Sequence, residues 1–263
     1  MRGKSQPSVQ TVARAFSVVE LLMEEPDLTA TEIARRLKLN VTTIHRILGQ
    51  LDSLGYVQKD PRTKEYRLGL KCLELGGAVL NQMDLPEIAR PHLHALAKQT
   101  GETVHLMIPD QGQGVYVAKV ESRRNIKMVS RIGRRSYLHC TALGKAILAY
   151  TPEEEVDRII ERHGLPRFTS KTLTNSMLLK GELIQVRQQG YAVDDEEEEV
   201  GVRCVGAPIF DHRGVVAGAV SVAGLVLHIS WERIEELAPK VKATAHAIST
   251  ELGYGVSGAV GFG

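Results

Sequence analysis

Cysteine, histidine and carboxylate side chains are the groups in this sequence with which catalysis or metal binding is most easily imagined. Cys204, His105 and His139, taken with acidic residues, are of the types that a nucleophilic catalytic set requires. His139-Cys140 with Cys204 is the most plausible zinc cluster, but no CxxC pair or other regular ligand spacing accompanies it. No G-x-S-x-G, H-E-x-x-H or phosphate-loop pattern is present either. We therefore predict no catalytic residue, no metal site and no cofactor.

A second set of side chains has the chemistry of nucleic-acid recognition. Between Val41 and Leu54 the apolar residues share one helical face, whereas small polar and basic residues occupy the opposite face near its start. A helix of that kind can enter the major groove, where such groups bond phosphates and base edges. The residues that we assign to DNA contact are Thr29, Asn40, Thr42, Thr43, His45, Arg46, Gln50, Arg62 and Lys64.

The elements that would position these residues follow from periodicity and capping. A first helix is expected over 11–25 and a short second helix after Thr29, where Thr29 and Glu32 have capping-box spacing. Asn40 then caps the third helix, and Gly55 ends it. The first helix is expected to pack through one apolar face, formed by Val12, Ala15, Phe16, Val19, Leu22 and Met23.

A basic hairpin completes this N-terminal pattern. Residues 56–59 and 65–68 read as strands flanking the turn 60–63, and Arg62 and Lys64 would lie over the phosphate backbone. The order of parts predicts a winged helix-turn-helix over 8–69. The alternative is a small helical domain whose polar residues are ordinary solvated surface.

Length and composition are consistent with a globular protein of two domains. The chain has 263 residues, of which 43% are hydrophobic and 24% are charged. Its formal net charge is only +2, and residues 1–70 carry 11 basic against 8 acidic residues. No apolar run approaches the roughly 18 residues that cross a bilayer, and no signal peptide precedes the first helix. We expect a cytoplasmic protein with reduced thiols and no membrane contact.

The remaining chain predicts a linker helix over 70–83 and an α+β domain over 84–253. The linker helix has surplus apolar surface, which suits either dimerisation or contact within the domain. Strands are expected at 103–108, 114–120, 126–132, 200–210 and 215–223, with helices before, between and after them. Residues 254–263 are Gly-rich without periodicity, and we expect a flexible tail without function.

Several motifs resemble those of a known family. The segments EIARRLKLNVTTIHRILGQLDSLGYV, GETVHL, HCTALGKAILA and GYAVDDEEEEVGVRCVGAPIFDHRG, followed by AVSVAG, are similar in content and order to the IclR family of bacterial transcription regulators. The resemblance covers about residues 10–253. Within the family, GETVHL, MVSRIG and AVDDEEEEVGVRCVGAPIFDHRG most resemble regulators of sugar-acid catabolism, especially of 2-keto-3-deoxygluconate.

The resemblance implies a winged helix-turn-helix joined by a helix to a GAF-like effector-binding domain with an antiparallel sheet. It also implies a homodimer or tetramer on palindromic double-stranded operator DNA, a small organic-acid or aromatic effector, and most commonly repression. The family pattern places the effector among Met128, Ala142, Leu143, Asp194, Val202, Cys204 and Ser221, with Ala223 where relatives often have serine. Thr141 joins this set because its hydroxyl and the N–H groups of the following helix suit a carboxylate.

Two alternatives remain open at this stage. The acidic run 194–199 has the composition of a solvated face, and its glutamates are expected to be exposed. Cys204 lies in an apolar strand, where a buried structural cysteine is as consistent with the sequence as a pocket residue.

A DNA-architectural protein without any ligand is the rival function.

Overall fold

A computed structural model of the chain describes residues 10–81, 84–122 and 130–255, with side chains omitted for 79–81. The chain divides into two compact units, Met1–Gln82 and Met83–Gly263. This division groups the predicted linker helix with the N-terminal unit. In the described part of the chain, no helix is long and apolar enough to cross a membrane.

The N-terminal unit contains a helix-turn-helix followed by a two-stranded wing. Thr29 caps the second helix through the predicted capping box: the Thr29 side chain accepts from the backbone N–H of Glu32, and the Glu32 side chain accepts from that of Thr29. Asn40 caps the third helix. The elements are α1 (Gln10–Glu24), α2 (Ala30–Leu37), α3 (Val41–Ser53), β1 (Val57–Lys59), β2 (Tyr66–Leu68) and α4 (Leu70–Asn81).

The core of this unit uses a different face of α1 from the one predicted. Val18 and Leu22 are buried against α2 and α3, whereas Phe16 is 63% exposed and Val12 and Met23 are also exposed. The expectation of one packed face was therefore wrong in part, because a helix this rich in apolar residues has two candidate faces and only packing selects one. The buried cluster comprises Val18, Leu22, Leu28, Ala30, Ile33, Ala34, Ile44, Ile47, Leu48, Val57 and Tyr66.

The wing is anchored to this core by one residue of each strand. Strands β1 and β2 pair antiparallel, with Gln58 opposite Arg67, and Tyr66 forms a bridge with Leu28. Val57 at the base of the hairpin and Tyr66 beside its turn are both buried, so the strands are fixed while the turn is exposed to solvent.

The C-terminal unit is built on one antiparallel sheet. Within the described residues the sheet has six strands, in the order β5-β4-β3-β8-β7-β6. The strands are β3 (Thr103–Asp110), β4 (Gln113–Val120), β5 (Arg135–Ser136), β6 (Ala192–Asp195), β7 (Val202–Phe210) and β8 (Val216–Leu225).

Helices cover both faces of this sheet. Successive residues of a strand point to opposite faces, and on β7 Gly206 lies against Ala142 while Arg203 stacks over Trp231. Ala142 begins a helix on one face, and Trp231 begins the last helix on the other. The helices are α5 (Asp84–Thr100), α6 (Ala142–Leu148), α7 (Glu153–His163), α8 (Ser176–Gln189) and α9 (Trp231–Glu251).

Two strands differ from the prediction. Of the strand expected at 126–132, residues 126–129 lie outside the described residues and residues 130–132 are not in a strand. The edge strand β5 follows instead, and Arg135 pairs with Val115 of β4. Strand β6 was not predicted at all, because the acidic residues that end it conceal its short apolar stretch.

Glycine allows α6 to approach the rest of the unit closely. A methyl group added at Gly144 would overlap the backbone of Leu138, and one added at Gly206 would lie 2.9 Å from the carbonyl carbon of Ala142. Backbone, unlike the end of a flexible side chain, cannot give way at low cost. These two glycines therefore fix the position of the start of α6 against β7.

Gly144→Ala should destabilise the C-terminal unit by about 1–3 kcal/mol, because overpacking against backbone outweighs the better helix propensity of alanine. Gly181→Ala is the matched control: Gly181 is also inside a helix, but a methyl group there meets nothing within 4 Å. The control should gain about 0.4–1 kcal/mol. Urea unfolding followed by the fluorescence of Trp231, the single tryptophan, measures both. Equal effects of the two substitutions would contradict the close approach.

Candidate functional site

The polar face of α3 is open to solvent. Thr42, His45, Arg46 and Gln50 are exposed, and Thr43 is half-buried. No side chain in the described ranges forms an ion pair with Arg46. The opposite face buries Ile44, Ile47 and Leu48 in the core of the unit, so the outward residues are held on a rigid element, as groove recognition requires.

Two of the predicted DNA-contact residues have structural bonds of their own. The Thr29 hydroxyl donates to Glu32 Oε2 at 2.6 Å, within the capping box. Asn40 Oδ1 accepts from the backbone N–H of Thr42 at 2.8 Å. These bonds set the starts of α2 and α3, and thereby aim the exposed side chains of α3.

The wing turn presents two cations. Asp60 Oδ1 accepts the backbone N–H groups of Arg62 and Thr63, and these bonds hold the pKa of Asp60 below its usual value. The backbone of Lys64 is left-handed, with φ of 64°, and its ammonium donates to Pro61 O at 2.6 Å. Arg62 and Lys64 are both exposed at the tip.

The C-terminal unit contains a cavity between its sheet and the start of α6, which we call the sheet cavity. The space within it is partly open to solvent and, with the open part included, measures about 470 Å³. Eight of the nine predicted effector residues line it, and the ninth, Met128, lies outside the described residues. The lining residues are His105, Tyr116, Ser130, Arg134, Thr141, Ala142, Leu143, Asp194, Glu198, Glu199, Val202, Cys204, Ser221 and Ala223.

Strand register explains why residues far apart in sequence meet here. Asp194 of β6 pairs with Cys204 of β7, which pairs with Ala223 of β8. On the next pair of strands Ser221 is opposite His105 of β3. The four adjacent strands thus carry a continuous row of side chains across the floor of the sheet cavity.

Several lining residues were missed by sequence reasoning. His105 was considered only as part of a catalytic set, and Tyr116, Ser130, Arg134, Glu198 and Glu199 were not assigned. The motif GETVHL indicated β3, but it did not show which face of this strand borders the sheet cavity. The pairing of β3 with β8 determines that face, and no local sequence signal predicts a pairing between strands so far apart in the chain.

The start of α6 is less suited to an anion than the sequence suggested. The helix has only seven residues, and the Thr141 hydroxyl oxygen accepts from the backbone N–H of Gly144 at 2.9 Å. That cap satisfies one of the N–H groups otherwise free for a ligand. Thr141 remains in the lining, where its hydroxyl hydrogen is a donor.

Asp194 is the most deeply buried acid of the lining, with 2% exposure. Its Oδ1 accepts from the backbone N–H of Glu197 at 2.8 Å. Burial disfavours the charged carboxylate and outweighs this bond, raising the pKa of Asp194 to about 8. At neutral pH its carboxyl group is mostly protonated and can donate a hydrogen bond.

The acidic run is not the solvated face that its composition suggested. Glu197 is only 6% exposed, and its Oε1 forms an ion pair with the ammonium of Lys145, which is fully buried. Glu182 of α8 pairs with the same ammonium. Burial lowers the pKa of Lys145, but Glu197 and Glu182 outweigh it and hold the pKa above its usual value. The expectation of exposure for Glu197 was wrong because this lysine, placed beneath the run, compensates its charge.

Polar contacts also fix the rim and floor of the sheet cavity. Glu198 Oε1 accepts from the Ser136 hydroxyl at 2.6 Å and from Arg134 at 3.3 Å. His105 Nε2 lies 2.6 Å from Ser130 Oγ. Burial, with a smaller effect of Lys119, lowers the pKa of His105 to about 3, so the imidazole is neutral.

The cysteines have neither nucleophilic nor metal-binding surroundings. Burial raises the pKa of Cys140 and of Cys204, which disfavours the reactive thiolate in both. His139 Nε2 lies 3.1 Å from the carbonyl of Pro166, which engages that ring nitrogen. Among the residues that the structure describes, no three His, Cys, Asp or Glu side chains are grouped to hold a metal ion.

Comparison with protein-family models identifies both units. The model described as IclR helix-turn-helix domain matches residues 11–61, and the one described as Bacterial transcriptional regulator IclR C-terminal matches residues 77–250. The chain belongs to the IclR family. The predicted fold class, a winged helix-turn-helix followed by an α+β unit with an antiparallel sheet, is confirmed.

IclR-family relatives match over nearly the full length. The HTH-type transcriptional regulator KdgR of Escherichia coli is 38% identical over 95% of this chain and 95% of its own. The HTH-type transcriptional regulator XynR of the same organism is 36% identical over 94% and 99%. The crystal structure of Thermotoga maritima IclR matches 93% of this chain and 99% of its own chain, with 40% sequence identity and a TM-score of 0.79. Like these IclR-family members, the chain is a transcriptional regulator and not an enzyme.

Asp194→Asn should stabilise the C-terminal unit increasingly as pH rises from 5 to 8. The pKa of Asp194 is about 8 in the folded state against an ordinary 3.8, so between these values folding takes up a proton and stability falls with pH. Asparagine keeps the acceptor for the N–H of Glu197 and does not titrate. The free energy of unfolding of Asp194→Asn, relative to that of the unsubstituted chain, should increase by about 2–4 kcal/mol between pH 5 and pH 8.

Urea unfolding at several pH values, followed by Trp231 fluorescence, measures this advantage. Glu161→Gln, at an exposed carboxyl on α7, is the control and should show a difference from the unsubstituted chain that barely changes with pH. A pH-independent effect of Asp194→Asn would show that Asp194 is ionised in the folded protein.

Proposed function

We propose that this regulator is a repressor of a catabolic operon, and that a small organic acid bound in the sheet cavity controls its affinity for operator DNA. The observation that carries the proposal is the sheet cavity itself: polar residues from four strands and the start of α6 converge on one partly open cavity. A protein that bound DNA constitutively would have no use for such a lining. A cytoplasmic location is part of the proposal, because a regulator that binds an operator acts where bacterial DNA is.

The exposed face of α3 supports sequence-specific recognition. The side chains of Arg46 and Gln50 are exposed and long enough to reach base edges, whereas the side chain of Thr43 is shorter and half-buried. Arg62 and Lys64 of the wing supply contacts to phosphate, which add affinity without reading sequence. Thr29 and Asn40 would contribute through the helix starts that they cap.

Arg46→Ala should weaken operator binding by about 1–3 kcal/mol while leaving binding to random DNA nearly unchanged, and Thr43→Ala should act in the same direction. Arg62→Ala is the matched comparison, because it removes a cation of the same type from the wing. It should weaken binding to all sequences and reduce the salt dependence by about one phosphate contact.

Fluorescence anisotropy with operator and scrambled duplexes at several salt concentrations separates these effects. Equal losses on both duplexes for Arg46→Ala would remove its assignment as a base reader.

A homodimer or tetramer on a palindromic operator fits the surface of the N-terminal unit. Val12, Phe16 and Met23 form an exposed apolar stripe along α1, and Leu70 and Leu73 of α4 are more than 70% exposed. Apolar residues grouped this way are typical of protein interfaces. Two copies related by a two-fold axis would present two copies of α3 to two half-sites.

The chemistry of the sheet cavity favours a hydroxylated acid. The side chains of Glu198 and Glu199 offer acceptors for ligand hydroxyl groups, while Thr141 and Ser221 offer hydroxyl donors. Val202, Ala142 and Ala223 offer apolar contacts to the carbon chain of a ligand. A sugar acid such as 2-keto-3-deoxygluconate has these groups, and the similarity to KdgR supports that choice. Another relative, the HTH-type transcriptional repressor AllR of Salmonella typhimurium, is a repressor by name, which supports repression here.

Ala223→Leu should abolish the effect of ligand on operator affinity while leaving ligand-free operator binding intact, because the larger side chain fills the floor of the sheet cavity. Ala217→Leu is the control, on the same strand but outside the lining. Operator titrations with and without 2-keto-3-deoxygluconate, gluconate and benzoate measure the response. If no acid changes operator affinity of the unsubstituted protein, the ligand-free architectural function is favoured instead.

A further inference from the structure

The sheet cavity is acidic, although the effector proposed for it is an anion. Among the described residues, its lining contains the carboxyl groups of Asp194, Glu198 and Glu199 and one guanidinium group, that of Arg134. With all four groups ionised, their sum would be −2. An organic acid entering this space meets repulsion that strengthens as water is excluded.

The cations near the sheet cavity are already paired within the described part of the chain. Arg134 lies 3.3 Å from Glu198. Lys145 is enclosed between Glu182 and Glu197. Lys119 donates to the carbonyl of Ser130 at 2.9 Å and lies 3.4 Å from Glu121. A ligand carboxylate that took one of these cations would leave a protein carboxylate uncompensated.

Neutral side chains occupy the rest of the lining. His105 of β3 is uncharged, because burial keeps its pKa near 3. Burial also raises the pKa of Tyr116 on β4 and of Cys204 on β7, so both stay protonated in the ordinary pH range. None of these three therefore supplies a positive charge to a ligand.

Burial opposes the ionisation of Asp194, and the carboxylates of Glu197 and Glu198, in the segment that follows β6, add to that effect. Tyr116 of β4, Cys140 before α6 and Cys204 of β7 also face Asp194, but they stay protonated and carry no charge. Lys145 of α6 is the cation facing it, and Glu182 and Glu197 already balance that charge. One carboxyl oxygen of Asp194 accepts from the N–H of Glu197.

We propose that the sheet cavity binds an organic acid together with a proton, held on the carboxyl group of Asp194 and donated as a hydrogen bond to the ligand's carboxylate. This inference rests on the proposed function and specifies how an acidic cavity accepts an anion. The proton removes one negative charge from the lining and converts Asp194 from an acceptor into a donor. Raising the pH would release the ligand by returning that charge.

The pH above which ligand affinity should fall is set by the pKa of Asp194 in the ligand-free protein, which lies near 8. Below this pH the proton is already present, and ligand affinity should be constant. Above it a proton must be taken up with each ligand, and affinity should fall towards about tenfold per pH unit. The ligand's own carboxyl group is ionised throughout this range.

Isothermal titration calorimetry of the full chain between pH 6.5 and 9.5 tests the inference, with 2-keto-3-deoxygluconate, gluconate and benzoate as probes. Two buffers of different ionisation enthalpy report proton uptake directly. We expect uptake to rise from near zero at pH 6.5 towards one proton per ligand above pH 8.5. Asp194→Asn keeps a donor that does not titrate, and should bind with an affinity independent of pH.

Glu161→Gln is the control, because it removes an exposed carboxyl that lies outside the lining and should leave both the affinity and its pH dependence in place. Binding by the unsubstituted protein that does not change with pH, or an unchanged pH dependence in Asp194→Asn, would overturn the proton linkage while leaving the proposed function standing. Absence of binding to every acid at pH 6.5 would contradict both.

Discussion

The ammonium group of Lys145 lies fully buried between the carboxylates of Glu182 and Glu197, and the wall of the sheet cavity depends on this contact. It ties α6 to α8 and to the segment that follows β6. Removing one member of a buried ion pair leaves an uncompensated charge, which typically costs about 3–5 kcal/mol. The same segment is held from outside by the hydroxyl of Thr172, which donates to the carbonyl of Glu197 at 2.7 Å. Asp194, at the edge of the floor, is thereby fixed beside this wall.

Close backbone approach and strand register complete the site around that contact. Gly206 lets the start of α6 lie against β7, and Gly144 lets it lie against Leu138. A residue with a side chain at either place would push the helix away and open the sheet cavity on one side. Because Asp194, Cys204 and Ala223 are aligned by pairing, the floor is as rigid as the sheet itself. The shape of the sheet cavity is thus determined by backbone geometry, and its hydrogen-bonding groups are supplied by a few side chains.

Local signals in the sequence were enough for the N-terminal unit and insufficient for the sheet cavity. Thr29 and Asn40 indicate the starts of two helices, because a capping side chain bonds to the backbone of neighbours within three residues. The buried face of α1 and the burial of Glu197 depend on partners distant in the chain. Residue spacing therefore predicted the face of α1 only in part, and composition predicted the exposure of Glu197 wrongly. Seven cavity positions were anticipated through family resemblance and Thr141 through its chemistry, whereas the places of His105 and Tyr116 in the lining follow only from the pairing of β3 with its neighbours.

Hydrogen–deuterium exchange of the full chain, with and without 2-keto-3-deoxygluconate, tests most directly the central claim that an acid is bound in the sheet cavity. We expect protection to increase in peptides covering α6, residues 194–204 and the central part of β8, since these segments form the lining. Exchange in α7, whose residues are absent from that lining, should change little. Protection by the acid elsewhere, with these three segments unaffected, would contradict the account.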